Sequence, residues 1–313
     1  MRKIYLVSWL ALMLVFVFSV GAFAATNGYK LGWSQVVVNN PYYEAMRITA
    51  EKTAKELGCE MIFLDAQNDP AKQVADIENL IAQGIDGLFI NPITPFALTS
   101  AVKDAVNAGI PIISVDRELY GDYVSYVGID QWKAGELQGE FIGQYLNGQG
   151  NIVEIAGDPG DSAGMGRGGG LRKIFYEKYP GIKILQTYIA HYNQLEGKQV
   201  MQDAIVAFGD EIDLVYAHND AMALGALAAI QEAGLHIPVA GVDGQKQAYE
   251  EIMKPGSLYL STVVNNSAEI TEVAVNLMVK YLNGEEIPKK VVTGTVLVTK
   301  DNVEEYYNPD SIF

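Results

Sequence analysis

From Lys30 onward the chain alternates short apolar runs with amphipathic segments, and several of the amphipathic segments close on a glycine. "LGWSQVVV" reads as a strand and "YYEAMRITAEKTAKELG" as a helix. "EMIFLD" is followed by "PAKQVADIENLIAQG", "DGLFIN" by "PFALTSAVKDAVNAG", and then comes "IPIISVD". The helices carry apolar residues at three- and four-residue spacing. They end at Gly58, Gly84 and Gly109, where a glycine can take the left-handed conformation that closes a last turn. The strands are apolar on both faces, as parallel strands covered by helices on two sides must be. A chain of this kind is confined to the α/β folds.

The alternation restarts at "NIVEIAG". A helix is expected over about 162–178, a strand at "IKILQTYIA" and a helix over about 195–208. "IDLVYA" and "DAMALGALAAIQEAG" follow, then "IPVAGVD", a helix near 245–253 and "YLSTVV". A helix near 268–282 and a strand, "VVTGTVLV", complete the chain. The expected fold is therefore α/β, with two doubly wound parallel-sheet domains of similar size.

The amino-terminal segment is of another kind. Arg2 and Lys3 precede an apolar run from Ile4 to Val20, which ends in Ala22-Phe23-Ala24. A basic start, a short apolar stretch and an A-x-A site describe a secretory signal peptide over residues 1–24. The run is near the lower limit for a membrane span, and the cleavage site favours removal. No cysteine follows it, so a lipid anchor is not expected. Export of this kind points to the periplasm or to free secretion. Loss of 24 residues leaves 289, above the size at which one core usually divides. It also removes two basic and no acidic residues, so the net charge falls from −16 to −18. Such a surface repels phosphate backbones, which excludes nucleic acid as a partner. The single cysteine, Cys59, stands at a strand start and reads as a buried, inert thiol.

In doubly wound sheets, ligands bind beyond the carboxyl ends of the strands. In the first half those positions hold Asn39, Asn40, Tyr42 and Tyr43, then Gln67 and Asn68, Asn91, and Asp116 with Arg117. In the second they hold Asp158 and later Arg167, Tyr192 and Asn193, His218, Asn219 and Asp220, and Asp243. Helix capping accounts for some of these, Asp220 and Asn68 among them. It does not account for aromatic rings and arginines at the same ends. Carboxylates and amides can pair with neighbouring hydroxyls, arginine offers a planar fork, and tyrosine rings can cover apolar C–H faces. The combination suits a sugar.

"GDSAGMGRGGG", Gly160 to Gly170, matches two enzyme patterns. As G-x-S-x-G it would make Ser162 a hydrolase nucleophile, but "DPGD" separates the strand from the serine, whereas a nucleophile elbow joins them directly. As G-x-G-x-x-G it starts too far from the strand, and no acidic residue lies between Lys178 and Leu195. The three histidines are dispersed, so no metal cluster is visible. A secreted serine hydrolase using Ser162 remains the alternative to a binding protein, and the glycines otherwise serve to bring Arg167 near a cleft.

Nearly the whole chain after residue 24 resembles the periplasmic sugar-binding proteins of the ribose-binding type, relatives of the lactose-repressor sensor core. The resemblance rests on "NNPYYEAM", "LDAQNDPAKQ", "FINP", "ISVDRE", "GRGGGL", "YAHNDAMALGAL" and "VAGVDG", in that order. It implies a type I periplasmic binding fold, with two domains joined by a three-strand hinge. It implies capture of a monosaccharide, pentose or hexose, and its delivery to an ABC-type membrane permease. No enzyme activity, cofactor or metal is implied. A chemoreceptor is a further candidate partner, and a monomer is expected. By position, Asn40, Tyr42, Tyr43, Asn91, Asp116, Arg117, Arg167, Tyr192, Asn219, Asp243 and Asn265 match ligand positions of the family. Asp158 joins the candidate set as a departure, since that position is usually apolar, and Val242 departs by replacing an aromatic residue. Crossings between domains are expected near Val127-Gly128, Val264-Asn265 and Thr293-Gly294. One domain would then hold residues 25–127 plus 266–293, and the other 128–265 plus 294–313.

Overall fold

The computed structural model describes residues 28–313; the segment read as a signal peptide lies outside them. Strand β1 (Lys30–Gln35) leads into α1 (Pro41–Glu56), followed by β2 (Glu60–Asp65), α2 (Pro70–Ala82), β3 (Gly87–Ile90), α3 (Thr99–Asn107), β4 (Ile112–Val115) and β5 (Ser125–Gly128). The second run comprises α4 (Gln131–Tyr145), β6 (Gln149–Ala156), α5 (Ser162–Lys178), β7 (Gly181–Ile189), α6 (Gln194–Phe208), β8 (Leu214–Ala217), α7 (Asp220–Glu232), β9 (Val239–Ala240), α8 (Lys246–Met253) and β10 (Tyr259–Val263). Then come α9 (Ser267–Leu282), β11 (Lys290–Val292), β12 (Leu297–Thr299) and α10 (Val303–Tyr306).

The strands form two six-stranded sheets, ordered β11-β5-β4-β3-β1-β2 and β12-β10-β9-β8-β6-β7. All pairs are parallel except β10 with β12. The chain passes between the sheets after β5, after β10 and after β11, so the fold is two α/β sheets of type I periplasmic binding architecture. The expected single strand "VVTGTVLV" is two strands in different sheets, because the chain crosses between Val292 and Leu297. Strand β5 and helix α4 have no counterpart in the sequence reading. β5 is only four residues long, and three glycines interrupt the apolar stripe of α4.

Local sequence sets the helix starts. The Asn40 side chain accepts from the Tyr43 N–H at 3.1 Å, and Pro41 follows it in the first turn of α1. Asp69 and Pro70 repeat the device on α2. Asp161 caps α5 and Asn219 caps α7. These caps satisfy N–H groups that have no partner inside a helix. Two cap assignments need correction. Asn68 is a left-handed residue ahead of the true cap, Asp69. Asp220 lies inside α7 and is fully buried, accepting from Tyr259, Thr262 and the Gln245 N–H. Its side chain ties the first turn of α7 to β10 and to the loop before α8.

The cores follow the strand pattern. Trp33 of β1 is fully buried between Phe63 and Phe89, with ring centroids at 5.6 and 5.0 Å. Burying each such side chain contributes roughly 1.5–3 kcal/mol. Val153, Ile155, Met201 and Ile230 belong to the second core. Cys59 is buried just before β2, and burial pushes its thiol up.

The glycine-rich stretch has a packing role. A Cβ on Gly135 of α4 would overlap the Arg167 carbonyl, and one on Gly170 of α5 would overlap the Trp132 carbonyl. The two helices thus touch through their backbones, which side chains larger than hydrogen at these glycines would prevent.

Candidate functional site

A small cavity lies between the carboxyl ends of the two sheets. Ten of the twelve candidate residues line it: Asn40, Tyr42, Tyr43, Asp116 and Arg117 from the first half, and Arg167, Tyr192, Asn219, Asp243 and Asn265 from the second. Ala163 is the one further residue in its wall. Asn91 and Asp158 are outside the wall and hold residues that line it.

Asp116 anchors the first half. It follows β4 with a φ of +62°. The Tyr42 hydroxyl donates to one of its oxygens at 2.8 Å, and Asn91 Nδ2 to the other at 3.3 Å. Arg117 donates to the Ile93 carbonyl at 3.1 Å and to the Tyr43 hydroxyl at 3.0 Å. Both residues are almost without solvent exposure.

Arg167 anchors the second half. Its Nε donates to Gln131 at 2.8 Å, one terminal nitrogen donates to the His218 carbonyl, and the other meets Asp243 at 3.0 Å. Asn265 donates to Asp243 at 3.1 Å and keeps its own Oδ1 unpartnered. Tyr192 directs its hydroxyl to the Asp161 carboxylate, and Asn219, while capping α7, donates to the Tyr192 carbonyl at 3.3 Å. Tyr192 and Asp243, like Asp116, have positive φ, at 58° and 131°. Three non-glycine residues in this sparsely populated region around one cavity is strain of the kind that gathers at functional sites.

The halves also meet across the cavity. Arg117 lies 3.4 Å from Asp158 and 5.2 Å from the centre of the Tyr192 ring. The Glu118 N–H donates to Ser162 Oγ at 2.8 Å. The structure is therefore in a closed arrangement.

Burial decides the protonation states. It pushes Tyr42, Tyr43 and Tyr192 upward, so all three remain neutral hydroxyls. It pushes Asp243 up to about 7, with Arg167 opposing. Behind Arg167 lies fully buried Glu154. Burial raises its carboxyl, yet hydrogen bonds from His218, Arg172 and Thr187 outweigh that and hold it at about 2. Because a carboxylate only accepts, the His218 Nε2, 3.0 Å away, carries the proton of that bond.

Several contributors were missed in the sequence. Gln131 sits in the unread helix α4, and Glu154 faces inward from the middle of a strand. Phe313, far from any strand end, stacks edge-on against Tyr42 at 5.2 Å. An isolated Glu within an apolar strand was the one available signal, for Glu154.

Ser162 is the first residue of α5, and its oxygen is taken by the Glu118 N–H. Among the described residues no histidine is hydrogen-bonded to Ser162; His191 bonds Asp158 and His218 bonds Glu154. Among the described residues, no cluster of three metal-ligating side chains occurs.

The family model of the periplasmic binding protein domain matches residues 31–286. The chain belongs to that family. It is 35% identical over 273 residues to the ribose import binding protein of Bacillus subtilis, covering 87% of this chain and 88% of that one. An ABC transporter solute-binding protein of Mycobacterium smegmatis with bound glycerol superposes with a TM-score of 0.84 at 34% identity, covering 89% of this chain and 96% of the other. One from Bacillus halodurans with bound myo-inositol gives 0.84 at 32%, covering 90% and 98%. Proteins of this family bind solutes without transforming them, and the serine hydrolase alternative is not supported. The family works outside the cytoplasm, and among the described residues no helix is long and apolar enough to cross a membrane.

Proposed function

We propose that this protein captures an uncharged monosaccharide or small cyclic polyol in the cleft and hands it to an ABC-type membrane permease. One observation carries the reading. Asp116 with Arg117, and Asp243 with Arg167, face one small cavity from opposite halves, together with three neutral tyrosines. The spare lone pairs and N–H groups of such buried pairs suit vicinal hydroxyls, which can accept and donate at once. Arg167 is paired with Asp243 and Arg117 lies beside Asp158, so neither is left free for a phosphate or carboxylate ligand. The ribose in the name of one relative and the myo-inositol bound to another support the same class.

Under this reading Asn40, Tyr42, Tyr43, Asp116, Arg117, Arg167, Tyr192, Asn219, Asp243 and Asn265 touch the ligand, and Asn91 and Asp158 position them. Residues 25–127 plus 266–293 move against 128–265 plus 294–313 about the three crossings. The protein is a periplasmic monomer from which the first 24 residues are cleaved.

A thermal-shift screen against pentoses, hexoses, inositols and glycerol, with ribose 5-phosphate and gluconate as charged controls, tests the function. Binding to the folded state stabilises it by about 2.7 kcal/mol at a hundredfold excess over Kd. At least one neutral compound is expected to shift the melting temperature clearly. A shift only with charged controls would overturn the proposal.

A further inference from the structure

Residues 307–313 leave α10, in the second half, and end against the first. The base of this segment is fastened to α8: the Tyr307 hydroxyl donates to Glu250 at 3.3 Å, and the Lys246 ammonium donates to the Pro309 carbonyl. The segment is internally ordered. The Ser311 N–H donates to the Asn308 carbonyl at 3.1 Å, and the Ser311 hydroxyl bonds both the N–H and the carbonyl of Phe313. Its tip lies on the first half. The Phe313 ring, 9% exposed, packs edge-on against Tyr42, and Ile312 shares a shallow groove with Val38, Pro41, Ala45 and Ile48.

We infer that residues 307–313 are a strap that holds the cleft closed, with Phe313 a positioning residue for Tyr42. The inference rests on the sugar-binding reading of the cavity for the role of Tyr42, but its mechanics do not. Tyr42 lines the cavity and donates to Asp116, so the ring that Phe313 braces is the ring that orients that carboxylate. Phe313 itself is not in the cavity wall. The strap also lines a second cavity behind Asp243, so it backs the principal carboxylate of each half.

The contact joins the two halves. Tyr42 is on α1 of the first half, and the segment that carries Phe313 is fastened through α8 to the second. It lies beside the crossings: Tyr42 bonds Asp116, whose N–H donates to the Val127 carbonyl at 2.8 Å, and Phe313 shares a cavity wall with Val264 and Asn266. Parting of the halves therefore loads the contact of Phe313 with Tyr42. A contact present only in the closed form raises its population and, through it, the apparent affinity.

The test uses the full chain, Phe313→Ala, Phe313→Leu and a chain lacking residues 309–313. The unliganded melting temperature reports whether each variant folds. Dissociation of D-ribose or myo-inositol, whichever shifts the melting of the parent, is followed by stopped-flow fluorescence. Loss of Phe313 or of the segment should speed dissociation about tenfold, equivalent to about 1.4 kcal/mol, with association little changed. Phe313→Leu should recover part of the effect. Equal dissociation rates in parent and variants would overturn the strap.

If neither sugar binds the parent, the ligand assignment is what fails, and the strap is read without ligand. Spin labels on Gln67→Cys and Leu195→Cys, in a Cys59→Ala background, report the distance across the cleft mouth. Removal of residues 309–313 should move the distribution to longer distances, and an unchanged distribution would overturn the inference.

Discussion

Arg167 on α5 and Asp243 after β9 meet at 3.0 Å, each almost wholly removed from solvent. The pair is held from both sides: Gln131 and the His218 carbonyl fix the guanidinium, and Asn265 fixes the carboxylate. Burial nonetheless dominates the carboxyl, which stands at about 7 in the folded protein.

That value sets a pH dependence. An unfolded Asp titrates near about 3.9. Between there and 7 the folded state keeps a proton that the unfolded state has lost, so stability from this group is present in full at low pH and is lost as pH rises through 7. Asp220, raised by burial to about 6, acts in the same direction. The unliganded protein should melt at progressively lower temperature from pH 5 to 8, and Asp243→Asn should flatten that slope. A melting temperature that climbs over the interval, or an Asn variant with the parent slope, contradicts the assignment.

Asp116→Ala removes the acceptor shared by Tyr42 and Asn91. With the sugar identified by the screen, calorimetry should show a loss of roughly 2–5 kcal/mol of binding, since buried donors lose their partner. A loss below about 0.5 kcal/mol is what an exposed charge gives, and would remove Asp116 from the ligand's contacts.

Gly135→Ala tests the backbone contact of α4 with α5. The added methyl overlaps the Arg167 carbonyl, so the helices must part and Arg167 must shift. Overpacking of this sort costs about 1–3 kcal/mol. Both chemical stability and sugar affinity should fall. Parent-like affinity in a folded Gly135→Ala protein would show that Arg167 keeps its place without the close helix contact.

Ser162 should be inert. A fluorophosphonate probe is expected to leave the protein unlabelled, because no histidine is hydrogen-bonded to its hydroxyl. Ser162→Ala should instead weaken sugar binding by up to about 1 kcal/mol, through the lost bond to the Glu118 N–H across the cleft. Stoichiometric labelling would reverse this account.

The regular part of the fold was legible because strand and helix periodicities are local. The helix expected at about 162–178 spans Ser162–Lys178, and ten of the twelve candidate residues line one cavity. What escaped was set by distant chain. The stripe of α4 is broken by glycines whose reason is the facing helix. Asp220 looked like a cap because capping is the commonest use of Asp at a helix start, and its real partners, Tyr259 and Thr262, arrive from a later strand. Asn91 and Asp158 were placed at the correct end of the sheets but serve other side chains, a distinction that depends on rotamers. Phe313 reaches the site through a fold-back that no periodicity announces.

The late position of β11 has a consequence for biosynthesis. The first sheet lacks its edge strand, and α1 its neighbour α9, until residue 292 has been made. A chain emerging amino end first therefore carries an incomplete first half while the whole second half up to β10 is synthesised. The first sheet is finished only after five of the six strands of the second have been made.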